Sequence, residues 1–228
     1  MRRLTTRRTV VTLDGPAGSG KTVCGQGAAL RLDATFVSSG LCYRAVTYLA
    51  MRDGAAPSDA AAVARAAERL RIEFVTAPGA VRVLVGGEDL TAVLKEPEVT
   101  AQTRHAAENP RVRELIGRHL RRMAEERDIV AEGRDMGTVV FADAPFKFFL
   151  DADLACRAAR RRKELAALGI DIPEERLQAE IAARDLRDAT RELCPLRVPE
   201  DAVVIDTGEL SVEDVVDRIV RIVRGDGD

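Results

Sequence analysis

Short apolar runs alternate along the chain with longer stretches in which apolar residues recur every third or fourth position. Short runs of this kind are typical of strands buried on both faces of a sheet, and the longer stretches are typical of amphipathic helices. The runs predict strands at residues 9–13, 35–38, 128–132, 146–150 and 203–206. Because helices are predicted between them, the pattern indicates an α/β fold with a five-stranded parallel sheet flanked by helices.

The helical stretches are long and regularly spaced. They predict helices at residues 20–32, 41–52, 97–107, 110–127, 152–168, 173–192 and 212–223, together with an alanine-rich helix after residue 57. Proline opens the helices at 97 and 110, where the missing N–H is tolerated.

A different pattern interrupts this progression. Residues 72–76 and 81–85 alternate apolar with polar positions on either side of an Ala-Pro-Gly turn, and this predicts a β hairpin within about 70–92, with a third short strand after "GGED". An antiparallel hairpin does not belong to a βαβ progression. We therefore expect a core formed by 1–56 and 128–228, and an insertion with its following helices at 57–127.

Composition narrows the possible partners. The net charge is −2, aromatic residues make up 4% and tryptophan is absent, which argues against a nucleic-acid-binding protein. No apolar run approaches the roughly 18 residues of a membrane span, and "MRRLTTRR" is interpreted as a frayed N-terminus rather than an export signal. Four cysteines without CxxC spacing and two separated histidines fit a reduced, cytoplasmic protein without a zinc site.

The segment after the first strand has the pattern G-x-x-x-x-G-K-[ST], which is a phosphate-binding loop (P-loop). Its residues are Gly15, Pro16, Ala17, Gly18, Ser19, Gly20, Lys21 and Thr22. Glycines let successive backbone N–H groups face one concavity, the lysine reaches the β- and γ-phosphates, and the threonine hydroxyl can hold Mg²⁺. The loop follows a predicted strand and opens a helix, so we expect ATP and Mg²⁺ as its ligands. No guanine-reading N-K-x-D, switch or transporter motif is apparent, and elimination leaves a small kinase.

Two later stretches follow predicted strands and therefore face the ligand side of such a sheet. In "SSGLCYR", Arg44 could bind an acceptor phosphate, with Ser39 and Tyr43 beside it. A helix N-cap serine followed by a core tyrosine would explain the same stretch equally well. In "EGRDMGT", the position of Arg134 and Asp135 favours binding over an exposed salt bridge.

The third stretch, "RDLRDATR", places Arg184, Arg187 and Arg191 at i, i+3 and i+7, on one predicted helical face, with Asp188 four residues after Arg184. A solvated face with ion pairs is the usual explanation for such a run. Phosphoryl transfer, however, needs several cations around the transferred group, and together with the P-loop this favours a catalytic role.

These motifs together resemble the bacterial-type cytidylate kinase family over nearly the whole chain, including "PRVRE" at 110–114 and "GRDMGTVVF" at 133–141. The resemblance implies γ-phosphate transfer from ATP to CMP or dCMP, an insertion that binds the monophosphate, a lid within about 157–192, and a monomer. The matching positions imply that Arg44, Arg134 and Arg191 surround the transferred phosphate. They imply that Arg113 and Asp135 read the cytosine and that Arg184 and Asp188 lie near the sugar. Ser39 would supply an acceptor-site hydroxyl. Lys21, Arg134, Arg184 and Arg191 are the expected catalytic residues, with Glu132 a weaker candidate for orienting Mg²⁺-bound water.

Several positions depart from the family pattern. Ser38 replaces an acid, Thr22 precedes Val23 in reversed order, and Arg104 stands where a small hydroxyl contacts the base, unless a register slip brings Thr103 there. These changes keep open a 5-substituted cytidylate or another pyrimidine monophosphate as acceptor. A P-loop kinase for a non-nucleotide metabolite and a nucleotide-binding module without turnover are the remaining alternatives.

Overall fold

The computed structural model describes residues 8–77, 80–167 and 169–226. The predicted frayed N-terminus therefore lies almost wholly outside the described residues, as does most of the Ala-Pro-Gly turn and the predicted end of a helix at 168. None of the described helices is both long enough and apolar enough to cross a membrane.

Five strands form the central sheet. They are β1 (Val10–Asp14), β2 (Thr35–Ser38), β6 (Ile129–Glu132), β7 (Phe146–Asp151) and β8 (Val203–Asp206), in the spatial order β2-β6-β1-β7-β8. β7 pairs in parallel with both β1 and β8. Most residues of β1, β6 and β7 are buried, which explains why these strands read as continuous apolar runs. The predicted α/β fold is confirmed, and strand ends deviate by one residue at most.

The helices follow the predicted positions. They are α1 (Lys21–Arg31), α2 (Ser39–Arg52), α3 (Ala60–Glu68), α4 (Pro97–Ala107), α5 (Pro110–Glu126), α6 (Leu154–Ala166), α7 (Glu174–Thr190) and α8 (Val212–Arg224). α2 begins two residues earlier than predicted because the Ser38 hydroxyl accepts from the Leu41 N–H, so Gly40 lies inside the first turn. The 3₁₀ turn at Val93–Lys95 is not predicted by the sequence.

The backbone forms two compact units. Of the described residues, the first contains 8–10 and those within 29–131, and the second contains 11–28 and those within 132–226.

In the first unit, the predicted hairpin is present as β3 (Ile72–Ala77) and β4 (Ala80–Val85), with Ile72 opposite Val85. The third strand, β5 (Glu88–Asp89), lies within "GGED" itself rather than after it. Alternate hairpin residues are buried, as expected for a sheet with one covered face. The functional division into a core, a monophosphate-binding insertion and a lid stays a prediction.

In the second unit, α6 and α7 pack through a small apolar cluster of Ala158, Leu165, Leu177 and Ile181. α7 ends at Thr190, two residues before the predicted end, and Arg191 is its C-cap with extended backbone. The prediction that three arginines share one helical face is therefore wrong for Arg191. Arg191 turns away from the helix, and its Nε donates to the Cys194 carbonyl across 2.7 Å.

Candidate active site

The P-loop lies in the second unit, between β1 and α1. Gly15 has a φ of 146°, and a Cβ added there would lie 2.0 Å from the Leu150 carbonyl oxygen of β7. Any side chain at position 15 would therefore push the loop away from the sheet. The predicted strand, loop and helix are all present in the required order.

Lys21 is folded back onto its own loop. Its ammonium group donates to the Pro16 carbonyl across 2.5 Å and to the Ser19 hydroxyl across 3.2 Å, and only 5% of the residue is exposed. Burial, and next the nearby Arg134 guanidinium, lower the pKa of Lys21 well below its usual value, against the opposing charges of Glu132 and Asp14. The cation is thus desolvated beside the loop, where an anionic ligand would stabilise it.

Thr22 and Glu132 form a pair of oxygen donors. The Thr22 hydroxyl donates to the Glu132 carboxylate across 2.9 Å, and Glu132 is 8% exposed. Oxygen donors of this kind suit Mg²⁺, which uses few protein ligands and keeps water or phosphate for the rest. Among the described residues no group of three or more His, Cys, Asp or Glu could hold a metal.

Asp14 is a residue that the sequence interpretation missed. Its buried carboxylate accepts from the N–H groups of Met136 and Gly137 across 2.9 and 2.7 Å. These bonds tie β1 to the segment Met136–Val140, which forms one turn of π-helix. Burial raises the pKa of Asp14 to about 6, against the lowering effect of the two N–H groups. The signal in the sequence that could have identified Asp14 is its acidic side chain at the end of an otherwise apolar strand.

The predicted arginines and acids of the second unit form two ion pairs. Arg134 donates to Asp188 across 2.8 Å, and Arg191 lies 3.8 Å from Asp135, which is 3% exposed. Asp188 therefore reaches a residue outside its own helix. Arg184, on α7, is exposed.

The sequence also gave no reason to select four residues that hold the P-loop. Arg157 of α6 and Asp185 of α7 both bond the backbone of Ala17. Thr207 donates to the Ser19 carbonyl across 3.1 Å and itself accepts from Arg160 across 3.0 Å. The three bonds to the P-loop backbone join residues at least 140 positions apart, so no local pattern could reveal them.

The candidate acceptor residues of the first unit lie on α2, α4 and α5. Ser39 and Tyr43 are buried and Arg44 is half-buried. The Arg113 guanidinium lies over the Tyr43 ring, 5.6 Å from its centroid, and also donates to the Ala107 carbonyl across 2.8 Å. Tyr43 thus packs in the core and also supports a candidate base-reading arginine.

Arg104 and Thr103 lie next to each other on α4. The Thr103 hydroxyl donates to the Val99 carbonyl of its own helix across 2.8 Å, and this bond occupies its hydrogen. Arg104 is exposed, and its guanidinium has no hydrogen bond or ion pair with the described part of the chain.

The P-loop lies on a parallel α/β sheet and contains a desolvated lysine. Near it are a hydroxyl–carboxylate pair and arginines paired with acids. These features together define a P-loop kinase. Solved structures with this fold include a putative kinase from Chloroflexus aurantiacus, with 13% identity, a TM-score of 0.50, and coverage of 97% of this chain and 98% of that one. An uncharacterized protein from Eubacterium ventriosum has 13% identity and a TM-score of 0.56 over 96% of this chain and 99% of its own.

Sequence comparison identifies the family. The family model described as cytidylate kinase matches residues 11–225. The cytidylate kinase of Geobacter sulfurreducens is 41% identical over 96% of this chain and 94% of its own length, and that of Mycobacterium avium is 40% identical over 94% and 95%. The chain belongs to the cytidylate kinase family, the enzymes that phosphorylate CMP and dCMP with ATP, and the resemblance seen in the sequence is confirmed.

Some relatives are longer. The bifunctional pantoate ligase/cytidylate kinase of Synechococcus elongatus is 39% identical over 97% of this chain, which spans 43% of that protein's length. This chain thus covers less than half of the bifunctional relatives that it matches.

Proposed function

We propose that this protein transfers the γ-phosphate of ATP to CMP or dCMP, forming ADP and the nucleoside diphosphate. Besides family membership, one observation carries the proposal. Two arginines are paired with acids in the second unit, which also contains the P-loop. The pairs are Arg134 with Asp188 and Arg191 with Asp135. Acids that hold arginines in place keep them oriented for a phosphoryl group whose charge is spread over several oxygens.

The P-loop residues Gly15 to Thr22 bind the donor phosphates in this proposal. Phosphate oxygens replace the Pro16 carbonyl and the Ser19 hydroxyl as partners of Lys21. Thr22 and Glu132 would hold Mg²⁺, Glu132 through water. When bound, Mg²⁺ neutralises charge on the donor phosphates. The 2.9 Å hydrogen bond between Thr22 and Glu132 supports this role, because it keeps two oxygen donors together before the ion arrives.

The acceptor needs no dedicated base. A nucleoside monophosphate is already largely dianionic at neutral pH, since its second pKa is about 6. The enzyme must instead align two anions and cancel their repulsion. We assign Arg44, Arg134 and Arg191 to phosphate neutralisation. Arg113 and Asp135 are assigned to the base, Arg184 and Asp188 to the sugar, and Ser39 and Tyr43 to support of the acceptor.

We further propose that residues 57–127 contain the monophosphate-binding insertion and that residues 157–192 contain the lid. Closure of a lid would exclude water and limit hydrolysis of ATP. We expect a monomer in the cytoplasm, a location consistent with the free thiols of Cys24, Cys42, Cys156 and Cys194.

The proposal is tested by measuring ADP release with CMP, dCMP, UMP, dUMP, AMP, GMP and 5-substituted CMPs as acceptors. The expected result is the highest kcat/KM for cytidylates. Absence of ADP formation with every monophosphate would favour a kinase for a non-nucleotide metabolite. ATP binding without transfer to any acceptor would indicate a binding module.

Arg104 supports a second candidate, a kinase for 5-substituted cytidylates. Its exposed guanidinium, without a bond to the described residues, is a hydrogen-bond donor of a kind that a small hydroxyl cannot replace. The variant Arg104→Ser should then lower kcat/KM for the substituted nucleotide more than for CMP. A higher wild-type kcat/KM for CMP than for every 5-substituted analogue would exclude this candidate.

A further inference from the structure

Two side chains from the helices of the candidate lid hold one residue of the P-loop. The Arg157 guanidinium donates to the Ala17 carbonyl across 3.0 Å, and the Asp185 carboxylate accepts from the Ala17 N–H across 3.4 Å. Both backbone polar groups of Ala17 are therefore engaged by side chains. Arg157 lies on α6 and Asp185 on α7, far from Ala17 in sequence.

The two side chains also bind each other. Arg157 donates to Asp185 across 2.5 Å, and its side chain is 9% exposed against 23% for Asp185. A further bond runs from the Arg157 Nε to the Ala152 carbonyl across 2.9 Å. Gly18 makes room for this arrangement, because an added Cβ would lie 3.1 Å from the Arg157 Cβ. The Arg157 guanidinium thus has three hydrogen-bond partners, which restrict its movement.

This arrangement places a carboxylate beside a loop that must accept a triphosphate. A lone carboxylate there would repel ATP, and the repulsion would be strong because the surroundings are partly desolvated. Arg157 cancels that charge and at the same time fixes the Ala17 carbonyl. Asp185 in turn connects the loop to α7, whose neighbouring residues Arg184 and Asp188 belong to the candidate site.

We propose that Arg157 and Asp185 are positioning residues that hold the P-loop in its ATP-binding shape and connect it to α7. The inference rests on the proposed use of ATP as donor. It assigns Arg157 two effects, support of the Ala17 carbonyl and compensation of the Asp185 charge. It assigns Asp185 the connection between the loop and the arginines of α7.

The test is a double-mutant cycle on ATP binding, measured calorimetrically without any acceptor, together with KM for both substrates. Arg157→Ala should raise Kd and KM for ATP on the order of tenfold, with KM for CMP changing less than about threefold. Adding Asp185→Ala to this variant should recover part of the lost ATP affinity, because the uncompensated carboxylate is removed. Asp185→Ala alone should lower kcat several-fold and raise Kd for ATP less than Arg157→Ala does, because Arg157 still holds the Ala17 carbonyl.

Arg176 and Glu180 provide the matched control, since they form an exposed Arg–Glu pair on α7 at 3.1 Å. Arg176→Ala, Glu180→Ala and their combination should leave Kd for ATP within about twofold, without coupling. Should Arg157→Ala fail to fold, Arg157→Lys, which keeps the charge but has a single donor nitrogen, should still raise Kd selectively for ATP.

An unchanged Kd for ATP in Arg157→Ala, or additive effects in the cycle, would overturn the inference. Because the cycle measures ATP binding alone, its result does not depend on which monophosphate is the acceptor. A wild-type protein that binds ATP but does not phosphorylate CMP would contradict the proposed function and leave the cycle interpretable.

Discussion

The Thr22 hydroxyl donates to the Glu132 carboxylate across 2.9 Å, joining the residue that follows the P-loop lysine to the end of β6. Thr22 is the second residue of α1, and Glu132 lies 110 residues later. In the proposed mechanism this pair holds Mg²⁺. A defect in either residue should therefore appear as a change in the Mg²⁺ dependence of the reaction.

Thr22→Val removes the hydroxyl while keeping a β-branched shape. We expect the Mg²⁺ concentration for half-maximal rate to rise about 10- to 100-fold, because an oxygen near the ion is lost. Thr22→Ser, which keeps the hydroxyl, is the control and should stay close to wild type. Titration of initial rates with Mg²⁺ measures the effect, and equal Mg²⁺ dependence in the Val and Ser variants would contradict the assignment.

Lys21→Met should separate activity from stability. Turnover should fall by about three orders of magnitude, since the cation at the transferred phosphate is lost. The free energy of unfolding should rise by about 1 kcal/mol, because a desolvated ammonium is replaced by an apolar chain of similar length. Urea unfolding and steady-state kinetics measure the two quantities. A marked loss of stability would show that the two bonds of Lys21 to its own loop outweigh its desolvation.

Asp14 should make stability depend on pH. Its pKa is about 6 in the folded protein against 3.8 as the ordinary value, so the folded state binds the proton more tightly. Its contribution to stability is fully present below about pH 4 and is lost as pH rises through 6, a total on the order of 3 kcal/mol. In Asp14→Asn this part of the pH dependence should be absent. Urea unfolding of both proteins between pH 4 and 7 gives the two slopes, and parallel curves would refute the prediction.

Arg191→Ala should lower kcat about 100-fold or more while the melting temperature changes by only a few degrees. Arg191 lies beside the buried Asp135, whereas Arg187 on the same helix end is exposed. Arg187→Ala is therefore the comparison, and its effect should be several-fold smaller. Similar kcat values for the two variants would indicate that Arg191 has no role in catalysis.

Tyr43→Leu should weaken acceptor binding through Arg113. The guanidinium lies 5.6 Å from the centre of the Tyr43 ring, and loss of such a contact costs about 0.5–2 kcal/mol. KM for CMP should rise about three- to thirtyfold, with KM for ATP unchanged. Tyr43→Phe keeps the ring and should behave like wild type. If the Phe and Leu variants raise KM for CMP equally, the ring is not what positions Arg113.

Local patterns were sufficient for most of the fold. The strands Thr35–Ser38 and Val203–Asp206 and the helix Pro97–Ala107 have the predicted bounds, because apolar periodicity and proline positions act on neighbouring residues. Errors occur where a side chain from elsewhere decides. The Asp14 carboxylate, from β1, accepts from the N–H groups of Met136 and Gly137 at the start of the unpredicted π-helical turn Met136–Val140. Arg191 leaves α7 to reach Cys194 and Asp135.

The sequence by itself determined the P-loop, the α/β class and the kinase family, since glycine spacing, alternation of elements and family motifs are all written in consecutive residues. Only the tertiary structure decided that Asp188 pairs with Arg134, that Glu132 meets Thr22, and that Arg157 and Asp185 hold Ala17. The physical reason is distance along the chain. In each of these bonds a buried or partly buried charged group meets a partner that is at least 54 residues away. For Arg157 and Asp185 the partner is backbone at least 140 residues away. Only folding brings such partners together.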